Sequence, residues 1–348
     1  MTTPYSLSRM GWSPTFQQQI SLNEWETTVT ARVVAQHRSY VELLSEHGKI
    51  QLHYTNKMPA ITVGDWLLLD RDNVFIRLLD RRSEFSRKAA GSKIRAQLIA
   101  ANIDTVFIVS SLNDDFSLSR IERYLALVNE AGAEAVIVLT KADLCDNTAH
   151  YVQQVQALDP LLMIETVNAL DHSSVECLLS WCRTGKTVAV LGSSGVGKST
   201  LVNSLLDEQA LETGRIRDDD SKGRHTTTAR SMHFMCSGAV LIDTPGMREL
   251  QLVACEEGVS ATFNDIGEYS KQCRYSDCSH EQEPGCAVRL AVEQGEIDER
   301  RLVNFKKLLR EQAINGASIA EKRAQGKSLS KMYKTVQTQS RRNKKDHF

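Results

Sequence analysis

The sequence predicts a multidomain fold: an N-terminal β-barrel, an α/β core built on a phosphate-binding loop, and a C-terminal helical unit that binds zinc. Three observations carry this. Short β-branched and aromatic runs separated by turn signals fill residues 25–79. Apolar strand patterns then alternate with helical patterns until a Gly-rich loop at residues 192–200. After about Leu252 the strand signal stops, and three cysteines and one histidine cluster between Cys273 and Cys286.

The N-terminal runs are 27–35, 40–44, 49–54, 65–69 and 73–79, with turns at His47-Gly48 and Val63-Gly64-Asp65. Five short strands of this kind read as a small antiparallel barrel, with the OB-fold as the five-stranded candidate and an SH3-like barrel as the alternative. Residues 81–93 are basic, polar and Gly-containing and read as a linker. Beyond it, strands are expected at 104–109, 134–139, 161–167 and 187–191, with helices at 118–131, about 149–158 and 174–182. Alternation of this kind implies a parallel sheet covered by helices on both faces. The helix at 118–131 places Leu118, Ile121, Leu125 and Val128 on one face, and Ser119 with Glu122 has capping-box spacing. A last helix at 299–312 carries Leu302, Phe305, Leu308 and Leu309. The expected domains are an N-terminal extension (1–24), the barrel (25–88), the α/β core (95–252) and a zinc-binding helical unit with a basic tail (253–348).

Bulk composition narrows the class. A formal net charge of −1 with 24 % charged residues leaves no global polycation to dictate partners. The apolar runs at 105–109 and 136–139 are strand-sized, far short of the ~20 residues of a membrane helix. Residues 1–19 lack a signal pattern. Eight cysteines with no disulfide-type spread suit a reduced, cytoplasmic setting without membrane partners.

Gly192-Ser193-Ser194-Gly195-Val196-Gly197-Lys198-Ser199, followed by Thr200, matches the G-x-x-x-x-G-K-[ST] phosphate loop in full, after an apolar strand and before an amphipathic segment. Glycines let backbone N–H groups converge on a phosphate without Cβ obstruction, and the helix start adds partial positive charge. Lys198 is placed to bridge β- and γ-phosphates and Ser199 to ligate Mg²⁺. Asp243-Thr244-Pro245-Gly246 follows the strand 239–242, with Asp243 on the Mg²⁺ side and the Gly246 N–H facing the γ-phosphate. Between these lies Gly223-Arg224-His225-Thr226-Thr227-Thr228, in which Thr227 is favoured, with Thr228 as alternative, as a Mg²⁺-binding switch residue.

The base-reading motif comes before the phosphate loop, not after it. Thr140-Lys141-Ala142-Asp143 ends the strand 134–139. Asp143 can accept from both N1–H and the 2-amino group of guanine, donors that adenine lacks, while the Lys141 stem packs on the base. Thr140 stands where an asparagine is usual; its hydroxyl can still tie two loops together. Val167-Asn168-Ala169 follows the next strand as a further base-site loop. This inverted order marks a circularly permuted P-loop GTPase core.

Cys273, Cys278, His280 and Cys286 offer three thiolates and an imidazole in a short, turn-rich segment. Cys₃His suits tetrahedral Zn²⁺ with no open position, a structural site, and zinc so bound contributes about 10–16 kcal/mol to folding.

Taken together, the barrel, the permuted order, G-S-S-G-V-G-K-S-T, R-H-T-T-T, D-T-P-G and C-x4-C-x-H-x5-C resemble the RsgA (YjeQ/YloQ) family over nearly the whole chain. The resemblance implies an OB-fold that binds rRNA, a GTPase acting in late maturation of the small (30S) ribosomal subunit, and a zinc unit that also contacts the ribosome. It further implies hydrolysis of GTP to GDP stimulated by that subunit, in a monomeric protein. Met247 follows Gly246 where a water-orienting glutamine is common, and a thioether cannot polarise water; His225 is the expected catalytic substitute. Unassisted turnover is then expected near about 10⁻⁴–10⁻³ s⁻¹. The competing reading is an RNA-binding assembly factor that uses nucleotide mainly as a structural ligand. Arg81, Arg82, Arg87, Lys88, Lys93 and the tail 331–345 are the candidate RNA contacts.

Overall fold

The protein is described here by a computed structural model covering residues 5–88, 96–207, 230–243 and 255–316. Two short helices come first, α1 (Pro14–Gln17) and α2 (Leu22–Thr27). Proline suits the first turn of α1 because the missing N–H would have no intrahelical acceptor. Ser21 and Glu24 cap α2 reciprocally, a capping box. This N-terminal stretch packs tightly: Met10 and Phe16 are fully buried, and Trp12 meets Trp66 edge-on at 4.8 Å. They cover a core of Leu44, Trp66, Leu68 and Leu79.

β1 (Val29–Gln36), β2 (Tyr40–Ser45), β3 (Gly48–His53), β4 (Trp66–Leu69) and β5 (Phe75–Leu78) lie close to the five expected strands. They pair antiparallel in the order β3-β2-β1-β4-β5. Alternate residues Ala31, Val33, Val41, Leu43, Leu67 and Leu69 form the inner core. β4 is buried on both faces, which explains its unbroken apolar run.

The segment expected as a linker is partly a strand. β6 (Glu84–Lys88) pairs antiparallel with β7 (Ala96–Ala101), and Phe85, Ile99 and Ala100 join the main core. A hairpin strand this short carries too few apolar positions to show period-two alternation in the sequence.

The α/β core comprises β8 (Thr105–Ser111), α3 (Leu118–Ala131), β9 (Glu134–Thr140), α4 (Thr148–Gln156), β10 (Met163–Val167), α5 (His172–Val175), β11 (Thr187–Gly192), α6 (Lys198–Asp207), β12 (Arg230–Phe234) and β13 (Val240–Asp243). The helix expected at 174–182 is instead α5 followed by a 3₁₀ turn at Glu176–Ser180. Strands β10, β9, β8, β11 and β13 are parallel neighbours in that order, and β12 pairs antiparallel with β13. Along β8, Val106 and Ile108 face the α3 side while Phe107 and Val109 face α6, so both faces are covered. β12 also pairs with β1, through Ala35 opposite Ser231, so the barrel and core share one eleven-stranded sheet among the described residues.

The cap of α3 differs from expectation. Ser117, not Ser119, has the extended backbone of a cap and accepts from the Arg120 N–H. Glu122 is thereby free to turn inward, where it is fully buried.

The C-terminal unit contains α7 (Glu256–Thr262), α8 (Asn264–Ser270), α9 (Ala287–Glu293) and α10 (Glu299–Gly316). α7 crosses α3 at Gly258, where a Cβ would lie 2.1 Å from the Ala126 carbonyl oxygen. Phe263, Val288, Leu302 and Leu308 share the main core cluster with Ile121 and Leu125.

Candidate functional site

In a parallel sheet, ligands bind beyond the carboxyl ends of the strands, where backbone groups and helix starts are free. The ends of β8, β9, β10, β11 and β13 all open on that one side, and the base loops, the phosphate loop and Asp243 follow those ends. The permuted chain order therefore rebuilds one contiguous site in space. It runs from the expected base loops at β9 and β10, across β8, to the expected phosphate loop at β11 and the end of β13.

The phosphate loop joins β11 to α6. Gly192 allows a close approach: a Cβ there would stand 2.4 Å from the Val109 carbonyl oxygen. Gly195 and Gly197 adopt φ of 82° and 92°, a region that side chains disfavour. Val196 is buried in the core below the loop, whereas Ser194 and Ser199 are exposed. Lys198 Nζ donates to the Ser193 carbonyl inside the loop. Thr200 is half-buried on the first turn of α6.

Thr140 is fully buried at the end of β9, and its Oγ1 donates to the Val196 carbonyl at 2.6 Å. A threonine thus joins the base loop to the phosphate loop, as its hydroxyl allows. Lys141 is left-handed at φ 59°, followed by a 3₁₀ turn at Ala142–Leu144 that leaves Asp143 exposed. Val167 sits opposite Thr140 in register. The Asn168 side chain accepts from the Leu170 N–H at 3.0 Å, and Ser204 of α6 donates to the Ala169 carbonyl at 2.6 Å. Both base loops are therefore tied to the phosphate side.

His225, Thr227, Thr228, Gly246 and Met247 lie outside the described residues, as does the side chain of Asp243, whose backbone ends β13.

Two of the expected RNA contacts are half-buried and paired with acids of the chain. Arg81 pairs with Asp65 at 2.7 Å and with Glu84 at 2.7 Å. Arg82 pairs with Asp104 at 2.6 Å and lies over the Phe16 ring. A basic run in a sequence does not reveal which acids fold against it. Arg87 donates to Gln97 at 3.2 Å; the Lys88 side chain, Lys93 and the tail lie outside the described residues.

The metal cluster assembles as expected. The ligand atoms of Cys273, Cys278, His280 and Cys286 all lie within 4.8 Å of one another. Cys273 and Cys286 sulfurs are 3.9 Å apart, close to the roughly 3.8 Å that two 2.3 Å Zn–S bonds subtend in a tetrahedron. His280 Nδ1 faces Cys273 and Cys286 at 3.6 and 3.5 Å. Its Nε2 lies 3.1 Å from Ser270 Oγ, which itself donates to the Ile266 carbonyl. With that hydroxyl proton committed, Nε2 carries the ring hydrogen and Nδ1 presents a lone pair to a metal.

The polar clamp beside this unit left no mark in the residue pattern. Buried Glu122 of α3 accepts from Arg300 at 2.8 Å, Arg301 at 2.8 Å and Asn304 at 2.6 Å. Arg301 also pairs with Asp265 at 2.7 Å.

The sequence model described as RsgA GTPase matches residues 78–253. A model for ABC transporters matches residues 180–331, a stretch that includes the same kind of phosphate loop. "Small ribosomal subunit biogenesis GTPase RsgA 2" of Vibrio parahaemolyticus is 57 % identical over 100 % of this chain and 97 % of its own. "Small ribosomal subunit biogenesis GTPase RsgA" of Mesorhizobium japonicum is 42 % identical over 89 % of this chain and 91 % of its own. The crystal structure of YjeQ from Thermotoga maritima matches with a TM-score of 0.62 at 28 % identity, over 82 % of this chain and 98 % of that one. YloQ, a circularly permuted GTPase, has the same fold, with a TM-score of 0.58 at 24 % identity over 83 % and 96 %. Among the described residues, no helix is long and apolar enough to cross a membrane.

Proposed function

The chain belongs to the RsgA GTPase family, and from that membership we infer that it is a GTP hydrolase acting in small ribosomal subunit biogenesis. The observation that carries the reading is the joining of the two nucleotide loops by Thr140, which makes one guanine-nucleotide site from motifs in permuted order.

Residue roles follow from placement and chemistry. Asp143 reads guanine, the Lys141 stem covers the base, and Ala142 carries the turn between them. The backbone of residues 192–200 cradles the phosphates, and Lys198 neutralises charge that grows on the leaving oxygens. Ser199, Thr227 and Asp243 would hold Mg²⁺, which offsets phosphate charge when bound. His225 orients the attacking water. Cys273, Cys278, His280 and Cys286 would hold one structural Zn²⁺. The protein acts as a cytoplasmic monomer on the small subunit and its rRNA, with the barrel (25–88) and zinc unit (253–348) as contact modules around the core (95–252). In this chain order Asp243–Gly246 is followed by the zinc segment at 273–286, so the γ-phosphate sensor is a covalent handle on the zinc unit. Identical placement of that unit in the GTP-analogue and GDP states on the ribosome would refute the handle.

GTP turnover with and without purified small subunits tests the function, with large subunits as control. Stimulation by small subunits alone is expected. Lys198→Ala should abolish turnover and block release from the subunit; a chain indifferent to that change would be a binding factor only. Full stimulated turnover in His225→Ala would remove His225 from the mechanism.

A further inference from the structure

One carboxylate outside the sequence motifs touches the phosphate loop. Asp115 lies in the connection between β8 and α3. Its Oδ2 accepts a 3.1 Å hydrogen bond from Ser193 Oγ. Its Oδ1 accepts from Arg120 in the first turn of α3 at 2.7 Å, and the same guanidinium donates to the Asp115 carbonyl. The two oxygens of one carboxylate are thus divided between a helix and the phosphate loop. Lys198 Nζ donates to the Ser193 carbonyl. Ser193 is therefore held at its hydroxyl by Asp115 and at its carbonyl by Lys198.

This bears directly on the reaction. To engage phosphate, the Lys198 ammonium has to trade a carbonyl for phosphate oxygens, and where the Ser193 peptide points sets that path. An anion beside a polyphosphate site opposes binding through charge alone, so its presence there calls for a compensating role. Hydrogen bonding from Arg120 holds the Asp115 carboxyl below its usual range, so it remains an acceptor. α3 also carries Glu122 and Arg123, which pair with Arg300, Arg301 and Glu311 of α10. The helix that grips the phosphate loop through Asp115 is also the helix on which the C-terminal unit is seated.

Resting on the GTPase reading above, we propose that Asp115 is a positioning residue for phosphoryl transfer: through Ser193 it fixes the peptide against which Lys198 moves, and it references that peptide to α3. The rival is an ion pair that merely starts a helix, which would leave the chemistry untouched.

The test is a double-mutant cycle in the full-length, zinc-loaded protein, reading small-subunit-stimulated kcat and KM for GTP. The set is wild type, Asp115→Ala, Ser193→Ala and the double variant, with Asp115→Asn as the isosteric control. Each alanine variant is expected to lower kcat by about 3–10-fold with KM within about twofold, the net range for one ordinary hydrogen bond, since partial exposure weakens the charge-assisted one. The double variant should be no slower than the slower single one, because both remove the same contact. Asp115→Asn should retain most of kcat, since its amide oxygen still accepts from Ser193. Additive losses, a change confined to KM, or an Asn variant as slow as Ala would each overturn the proposal while leaving the GTPase reading intact. A wild-type chain without stimulated turnover would overturn both.

Discussion

Thr140 Oγ1 donates a 2.6 Å hydrogen bond to the carbonyl of Val196, from a side chain with no solvent exposure. Through it the end of β9, which leads into Lys141 and Asp143, is fastened to the Gly-rich loop at 192–200. An asparagine amide could serve two neighbours at once. The threonine hydroxyl has one proton to give, and it gives it to the phosphate loop, with the Ser110 carbonyl a more distant 3.4 Å away.

Thr140→Val keeps the shape and deletes that donor, leaving a buried carbonyl unpaired. A lost bond of this kind is worth about 1–2 kcal/mol, or roughly 5–30-fold in affinity. Fluorescent GDP and GTP analogues should both bind weaker by that factor, while Thr140→Ser stays near wild type. Unchanged affinity in Thr140→Val would show that the two loops hold their places without the hydroxyl.

The clamp between α3 and α10 should matter far more than surface ion pairs. Glu122 is fully buried and Arg301 nearly so, and removing one partner of a buried pair costs about 3–5 kcal/mol because the other charge is stranded. Arg310 and Glu281 also pair, but both are exposed, which limits that pair to about 0–1 kcal/mol. Hydrogen exchange along α10 should accelerate strongly in Glu122→Ala and barely in Arg310→Ala. Equal effects would mean that apolar packing alone seats α10.

Ser270 sets the imidazole tautomer at the metal cluster without touching a metal itself. Ser270→Ala should weaken zinc binding by about 10–100-fold, the range for outer-shell partners of a metal histidine. Competition against a chromogenic chelator reads this directly. Cys278→Ser removes a ligand and should lose zinc outright, with the C-terminal helices melting before the core on chelation. Retained helicity in the metal-free protein would assign the stability of this unit to its packing against α3.

The N-terminal helices should come loose in acid. Hydrogen bonding from Arg77, helped by the Ser21 cap, pulls Glu24 down from 4.5 to about 2. Its folded value lies below its unfolded one, so its contribution is present above pH about 4.5 and is lost as pH falls toward about 2. Trp25, one residue on, is a natural fluorescence probe for detachment of α2 from β5. Glu24→Gln should flatten the transition in that window; a transition that persists would belong to other carboxylates.

Much of this architecture was legible in the residues because its causes are local. Short β-branched and aromatic runs between turn signals mark β1 to β5, and the glycines at 192, 195 and 197 mark the phosphate loop because the backbone there excludes Cβ atoms. Ligand spacing named the metal cluster because its four donors come from one short segment. What stayed hidden has one physical origin. The acidic partners of Arg81 and Arg82 left no mark, and Glu122 read as half of a helix cap, because a charge looks alike in sequence whether water or a distant residue receives it.

By itself the sequence determined which chemistry this protein carries: guanine and phosphate motifs, their inverted order and a four-ligand metal site. Each depends on residue type at short spacing. Only the tertiary structure decided where the charges go and how the units are joined. Arg32 donates to the carbonyls of Met10, Gly64 and Asn102 at once, binding the N-terminal stretch, the barrel and the core. Glu122 meets partners some 180 positions away, and β12 continues the core sheet into β1. Burying a polar group without a partner is costly, so the fold had to supply partners from far along the chain.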